Sequence, residues 1–164
     1  MAHSSPYRQL PAARRVDIVT RAMKASKDMR ALMVSRMLSR GRGFRPQTLL
    51  TWPADKLARE VVRLGVENAD DELNLLNMLY VEFEPQFQTV FLDAAGVKHE
   101  NGQLPEELQP PFASAEGVAK GVAAVLEKFG DDGRHYLVTI AKYNGEAWPG
   151  LDAVLAALPA AAQG

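Results

Sequence analysis

The sequence of 164 residues contains no cysteine. Disulfide bonds, thiolate zinc sites and cysteine nucleophiles are therefore excluded, and the redox compartment cannot be read from cysteine usage. The sequence also lacks any apolar run near the ~20 residues that cross a bilayer. Its first residues carry no hydrophobic stretch of the signal-peptide type. These absences lead us to expect a cytoplasmic protein that does not contact a membrane.

Acidic residues are scarce in the first part of the chain, and basic residues are scarce in the rest. Residues 1–63 carry 14 Lys and Arg but 4 Asp and Glu, a net charge of +10. Residues 64–164 carry 5 Lys and Arg and 16 Asp and Glu, a net charge of −11. Such a split indicates either a basic surface for an anionic partner or two halves whose charges face each other. We favour the second interpretation, within one chain or within a homo-oligomer.

Apolar residues recur in steps of three and four along most of the sequence, which is the period of an amphipathic helix. Capping residues and short Gly or Pro stops separate these segments. The sequence therefore predicts an all-α fold, a single-domain helical bundle of about six to eight helices over residues 1–164. Residues 1–10 are predicted to form a loose N-terminal arm, and residues 159–164 a frayed tail.

The longest apolar segment runs from Ala69 to Ala95 and carries three of the six Phe. Pro85 interrupts it, because proline in a helix interior loses one hydrogen bond and clashes with the preceding turn. The segment therefore predicts a central helix that is kinked or broken near Pro85, as two helices at about 70–83 and 85–95. Residues 81–89 also alternate between apolar and polar side chains, which leaves a β-strand as the alternative.

Residues 12–39 predict a long amphipathic helix that breaks near Ser26. Its narrow apolar stripe carries four of the six Met, at positions 23, 29, 33 and 37. A flexible Met surface suits an adaptable partner, but Met at helical spacing is more often core. Residues 12–39 are accordingly the predicted surface for self-association or for a protein partner.

The loop that follows this helix is rich in Arg and Gly. Arg40, Arg42 and Arg45 could neutralise phosphates, and Phe44 could stack on a base. The pI of about 6.3 is low for a typical nucleic-acid-binding domain. Polyanion binding by these residues is therefore an alternative rather than the main hypothesis.

A second group of candidates is polar and lies around the Pro85 break. Glu82 and Glu84 flank an apolar residue there, and His99 follows the segment. If these residues are buried together, they form a polar site in which a carboxylate orients an imidazole for acid–base chemistry or metal binding. No pattern of catalytic residues or metal ligands accompanies them, so no catalytic residue, metal or cofactor is assigned.

The sequence favours a non-enzymatic helical binding or interaction protein, which could self-associate through residues 12–39. The first alternative is a nucleic-acid or polyanion binder that uses the basic N-terminal half. The second alternative is a metal-dependent or acid–base enzyme that uses His99 and nearby carboxylates.

Overall fold

A computed structural model describes residues 4–40 and 43–159 of the chain. These residues form nine α-helices and no β-strand, which confirms the predicted all-α fold and excludes a strand at 81–89. The chain divides into two compact units, Met1–Met78 and Leu79–Gly164. The predicted single domain over the whole chain stays a prediction.

Six helices lie in the first unit, which we call unit 1. They are α1 (Pro6–Gln9), α2 (Ala12–Ala25), α3 (Lys27–Ser39), α4 (Pro46–Thr51), α5 (Ala54–Leu64) and α6 (Ala69–Asn77). Within unit 1, the most extensive helix pairing joins α2 to α5. The side chains of α5 that face inward recur at helical spacing, namely Leu57, Ala58, Val61 and Val62.

The break near Ser26 is confirmed. Ser26 has extended backbone angles (φ −138°, ψ 118°), and its hydroxyl accepts a hydrogen bond from the backbone N–H of Met29 at 3.1 Å. Serine is a strong N-cap because its oxygen satisfies a backbone donor at the helix start. All four Met of the predicted stripe are buried, at positions 23, 29, 33 and 37. They are therefore core residues, and any partner surface on residues 12–39 would have to use other side chains.

The structure corrects the predicted loose arm at residues 1–10, as far as residues 4–10 are described. Pro6–Gln9 form the short helix α1, which Ser5 caps by accepting a hydrogen bond from the backbone of Arg8. Tyr7 and Leu10 are buried. Residues 1–3 lie outside the described part of the chain, as do residues 160–164 of the predicted tail.

The central segment is broken at Pro85, as predicted. Helix α6 is followed by a π-helical turn at Met78–Phe83, and α7 begins at Gln86. The backbone N–H of Glu84 donates to the carbonyl of Leu79 at 2.7 Å, a five-residue step. Because Pro85 has no N–H and its ring obstructs the preceding turn, a regular helix cannot continue through it. The widened turn is how the chain accommodates the proline.

The second unit, unit 2, contains α7 (Gln86–Ala95), α8 (Ala115–Asn144) and α9 (Leu151–Ala156). Gly130 interrupts α8 with a positive φ of 57°. Gly117 and Gly121 let α8 approach α7 closely. A Cβ at Gly117 would lie 2.6 Å from the carbonyl oxygen of Ala95, and a Cβ at Gly121 would lie 2.8 Å from the ring of Phe91.

Candidate functional site

The residues of the Arg/Gly loop have different surroundings. Arg42 lies outside the described residues. Arg40 is exposed and donates a hydrogen bond to the carbonyl of Gly65 at 3.3 Å. Arg45 is exposed and comes directly before α4. Phe44 is half-buried and packs edge-on against Trp52, with ring centroids 5.8 Å apart.

Trp52 lies at the centre of this region. The ammonium of Lys56 is 4.4 Å from the centroid of the Trp52 ring, which is the geometry of a cation–π contact. Arg30 of α3 donates to the backbone carbonyl of Trp52 at 2.6 Å, and so fixes the end of α4.

Helix α4 itself is mostly exposed, with Leu49 as its one buried residue. Leu50 keeps 59% of its surface exposed. Exposed apolar side chains are common singly, but Leu50 stands two residues before Trp52, and Arg30 Nη2 reaches the backbone carbonyls of both, at 3.5 and 2.6 Å. We call the group of Phe44, Arg45, Leu50, Trp52 and Lys56 the α4 patch. It combines an exposed apolar side chain, an aromatic pair and two positive charges.

The polar candidates around Pro85 do not form the buried site that was predicted. Glu82 is exposed, and Glu84 is half-buried. His99 instead contacts Asp93, with 2.6 Å between Nε2 and Oδ1. Its Nδ1 accepts a hydrogen bond from the backbone N–H of Gly102 at 3.0 Å. Both ring nitrogens therefore have partners, and His99 acts here as a residue that holds a turn.

That turn forms one wall of a cleft beside the π-helical turn. The cleft has a volume of about 360 Å³ and is lined by Val81, Pro85, Gln88 and residues 101–104. Val81 keeps 60% of its surface exposed. The side chain of Gln88 donates to the carbonyl of Gly102 at 2.6 Å, which holds the wall in place. We call this feature the Val81 cleft.

Sequence reasoning missed a cluster of buried carboxylates in unit 1. Glu67, Asp71 and Glu72 are all buried. Arg8 donates from Nε to Oε1 of Glu72 at 2.5 Å and from Nη2 to the backbone carbonyl of Glu67 at 2.7 Å. Arg36 binds both carboxylate oxygens of Asp71, at 2.8 and 3.1 Å. Two arginines from the basic residues 1–63 therefore pair with carboxylates from residues 64–164.

Glu67 has one carboxylate oxygen without a hydrogen bond. Its Oε2 lies 3.3 Å from Arg8 Nη2, and Arg15 also attracts the carboxylate. The phenol of Tyr7 donates to the other oxygen at 3.2 Å. Burial raises the pKa of Glu67 above its ordinary value, although Arg8 opposes the shift. Burial and the charge of Glu67 likewise raise the pKa of Tyr7.

A local signal could have found one of these carboxylates. Asn68 and Asp71 form a capping box, in which each side chain accepts from the backbone of the other at 2.9 and 3.1 Å. The spacing of a cap residue and an acid three positions later is typical of a helix start. Nothing local indicates that Arg8 lies opposite Glu67 and Glu72.

Within residues 4–40 and 43–159, no three His, Asp or Glu side chains are grouped so as to hold a metal ion. No helix in the same ranges is long and apolar enough to span a bilayer. Comparison of the chain with protein-family models, with curated proteins and with solved structures finds no match.

Proposed function

We propose that this protein is a non-enzymatic binding protein whose α4 patch binds a protein segment that carries both acidic and apolar side chains. The observation that carries the proposal is Leu50, which is 59% exposed on a short helix between Arg45 and Lys56. An apolar side chain contributes by leaving water, and flanking cations select acidic partners and speed their encounter.

The overall charge of unit 1 supports the choice of an acidic partner. Residues 1–78 contain 14 Lys and Arg and 8 Asp and Glu, which is a net charge of +6. The carboxylates of Glu67, Asp71 and Glu72 are buried against their own partners and leave the surface more positive still. A surface of this sign attracts anionic segments over about one Debye length, ~8 Å at physiological salt.

The same patch fits a nucleic acid less well. Binding of single strands relies on aromatic faces that stack on bases. Phe44 already packs edge-on against Trp52, and Lys56 covers the Trp52 ring. Leu50 would gain nothing from a phosphate backbone. The apolar component therefore distinguishes the two hypotheses.

Fluorescence anisotropy with four labelled probes of equal length tests the proposal. The probes are a Glu/Leu peptide, a Glu/Ser peptide, a Lys/Leu peptide and an oligo-dT strand. We expect the Glu/Leu peptide to bind best. Full burial of a leucine contributes about 1.5–3 kcal/mol, and much of Leu50 is still exposed, so Leu50→Ser should weaken binding about five- to thirtyfold.

Charge variants complete the test. Arg45→Ala combined with Lys56→Ala should weaken Glu/Leu binding and flatten its salt dependence. Lys24→Ala combined with Lys27→Ala removes the same charge from exposed positions on other helices and should have little effect. If oligo-dT binds better than the Glu/Leu peptide and Leu50→Ser changes nothing, the protein is a polyanion binder and the proposal is wrong.

A further inference from the structure

We propose that the partner of the α4 patch is a second copy of this chain, which receives Leu50 in its Val81 cleft. This inference rests on the proposed function and identifies the segment that the patch binds. Leu50 and Val81 are the two exposed large hydrophobic residues of the part of the chain that the structure describes. One projects from a short exposed helix of unit 1, and the other borders a cleft of unit 2.

The Val81 cleft has a suitable size and lining for a leucine. Its volume of about 360 Å³ exceeds that of one aliphatic side chain, and Val81, Pro85 and Leu104 give it apolar walls. Its wall is held in place by the hydrogen bonds of Gly102 with His99 and Gln88. A preformed cleft binds with less loss of conformational entropy than a mobile surface.

The charges around the two surfaces have opposite signs. Arg45 precedes α4, and Lys56 contacts Trp52 within the α4 patch. Glu82 and Glu100 are exposed, and each is adjacent in sequence to a residue that lines the cleft. Lys98 is the exposed cation nearest to the cleft along the chain, so the residues that flank the cleft in sequence keep a net negative charge.

The net charges of the two units also have opposite signs. Residues 79–164 contain 5 Lys and Arg and 12 Asp and Glu, a net charge of −7, against +6 for residues 1–78. Two copies of one unit therefore repel each other, whereas unit 1 of one copy attracts unit 2 of another. This favours a contact between unlike surfaces, which either closes into a dimer that makes the contact twice or extends into longer chains.

Sedimentation equilibrium of the full chain tests the inference. We expect the average mass to rise with concentration at low salt and to fall toward that of one chain at high salt. Leu50→Ser should weaken association about tenfold. The control variant, Lys24→Glu combined with Lys27→Glu, reverses two charges elsewhere on unit 1 and leaves the α4 patch unchanged. It should associate more strongly than any α4 patch variant.

Two charge-reversed variants test the pairing directly. The first carries Arg45→Glu and Lys56→Glu, and the second carries Glu82→Lys and Glu100→Lys. Each variant alone should have the mass of one chain, because one of its surfaces now repels the other. An equimolar mixture should associate again, because each reversed surface meets its reversed counterpart. Circular dichroism and thermal melting of each variant show that the loss is not unfolding.

The outcomes separate this inference from the proposed function. If the wild-type chain keeps the mass of one copy at all concentrations while the Glu/Leu peptide still binds, the partner is another protein and the second-copy inference is wrong. If the wild type associates but the mixture of reversed variants does not, the copies meet through other surfaces and the inference is equally wrong. If neither peptide binding nor association occurs, both proposals fail.

Discussion

Replacing Arg8 by methionine should destabilise unit 1 strongly. The variant keeps an apolar stem of similar length but removes the cation that contacts both Glu67 and Glu72. Removal of one partner from a fully buried ion pair costs about 3–5 kcal/mol, because the remaining charge stays buried. The side chain of Arg8 is 30% exposed, whereas those of Glu67 and Glu72 are 0% and 8% exposed. Partial access of water to the site should reduce the loss to about 2–4 kcal/mol.

Urea unfolding measures this loss, and the two Trp of the chain make it specific. Trp52 lies in unit 1 and Trp148 lies in unit 2. In a Trp148→Phe background, fluorescence therefore reports the unfolding of unit 1. Arg59→Met is the matched control, because Arg59 pairs with Asp55 at 3.0 Å and both side chains are more than half exposed. Exposed pairs contribute about 0–1 kcal/mol.

The pH dependence provides a second check on the same variant. Burial already raises the pKa of Glu67, and loss of Arg8 should raise it further. The folded-state pKa of Glu67 in the variant then lies above the unfolded-state value. The stability lost through Arg8→Met should therefore have its full size at pH values above the raised pKa. This loss should diminish as the pH falls toward the ordinary glutamate pKa of about 4.3. A loss that is equal for Arg8→Met and Arg59→Met, or equal at pH of about 5 and about 7, would refute the reasoning.

Three further predictions follow from other parts of the fold. Gly121→Ala should destabilise unit 2 by about 1–3 kcal/mol in thermal unfolding, because its Cβ would overlap an aromatic ring. Gly145 has open space around it, so Gly145→Ala should have a smaller effect. Equal losses for the two variants would contradict the close packing at Gly121. Ser26→Ala should cost about 1 kcal/mol in urea unfolding through loss of the N-cap of α3, and an unchanged midpoint would show that the cap contributes nothing. Burial raises the pKa of both Tyr7 and Tyr136, so stability should fall as the pH rises above about 10. In an ultraviolet titration these two phenols should ionise only with unfolding, and ionisation of all four Tyr near pH 10 in the folded protein would exclude their burial.

The helix boundaries could be predicted from the sequence because their causes are local. Ser26 and Pro85 each act through the backbone of the adjacent turn, by capping it or by obstructing it. Gly65 and Gly96 end helices with left-handed φ of 60° and 75°, a conformation that glycine adopts at little cost. Such signals are complete within a few residues of sequence.

The short N-terminal helix and the buried carboxylates could not be predicted, because their causes are distant in sequence. Tyr7 and Arg8 are held by Glu67 and Glu72, about sixty residues further along the chain. A carboxylate in sequence carries no sign that it will be buried, since acidic residues are mostly exposed. The prediction of a buried site was accordingly placed on Glu82, which is exposed, instead of on Glu67.

The α4 patch shares Phe44 and Arg45 with the Arg/Gly loop of the sequence analysis, and polyanion binding by that loop stays a prediction. Sequence periodicity could not show that Leu49 is buried while Leu50 is exposed, because α4 is only six residues long. The apolar component of the patch therefore required the tertiary structure.

The separation of charge along the sequence has two opposing consequences for the folded protein. Like charges within unit 1 and within unit 2 repel and destabilise each unit, and the ion pairs of Arg8 and Arg36 with buried carboxylates offset only part of this in unit 1. Added salt screens that repulsion. It should also screen the proposed attraction between the α4 patch and an acidic partner. Salt should therefore raise the unfolding free energy of unit 1 while it weakens association. If apolar contacts alone stabilised both the fold and the association, salt would not change the two in opposite directions.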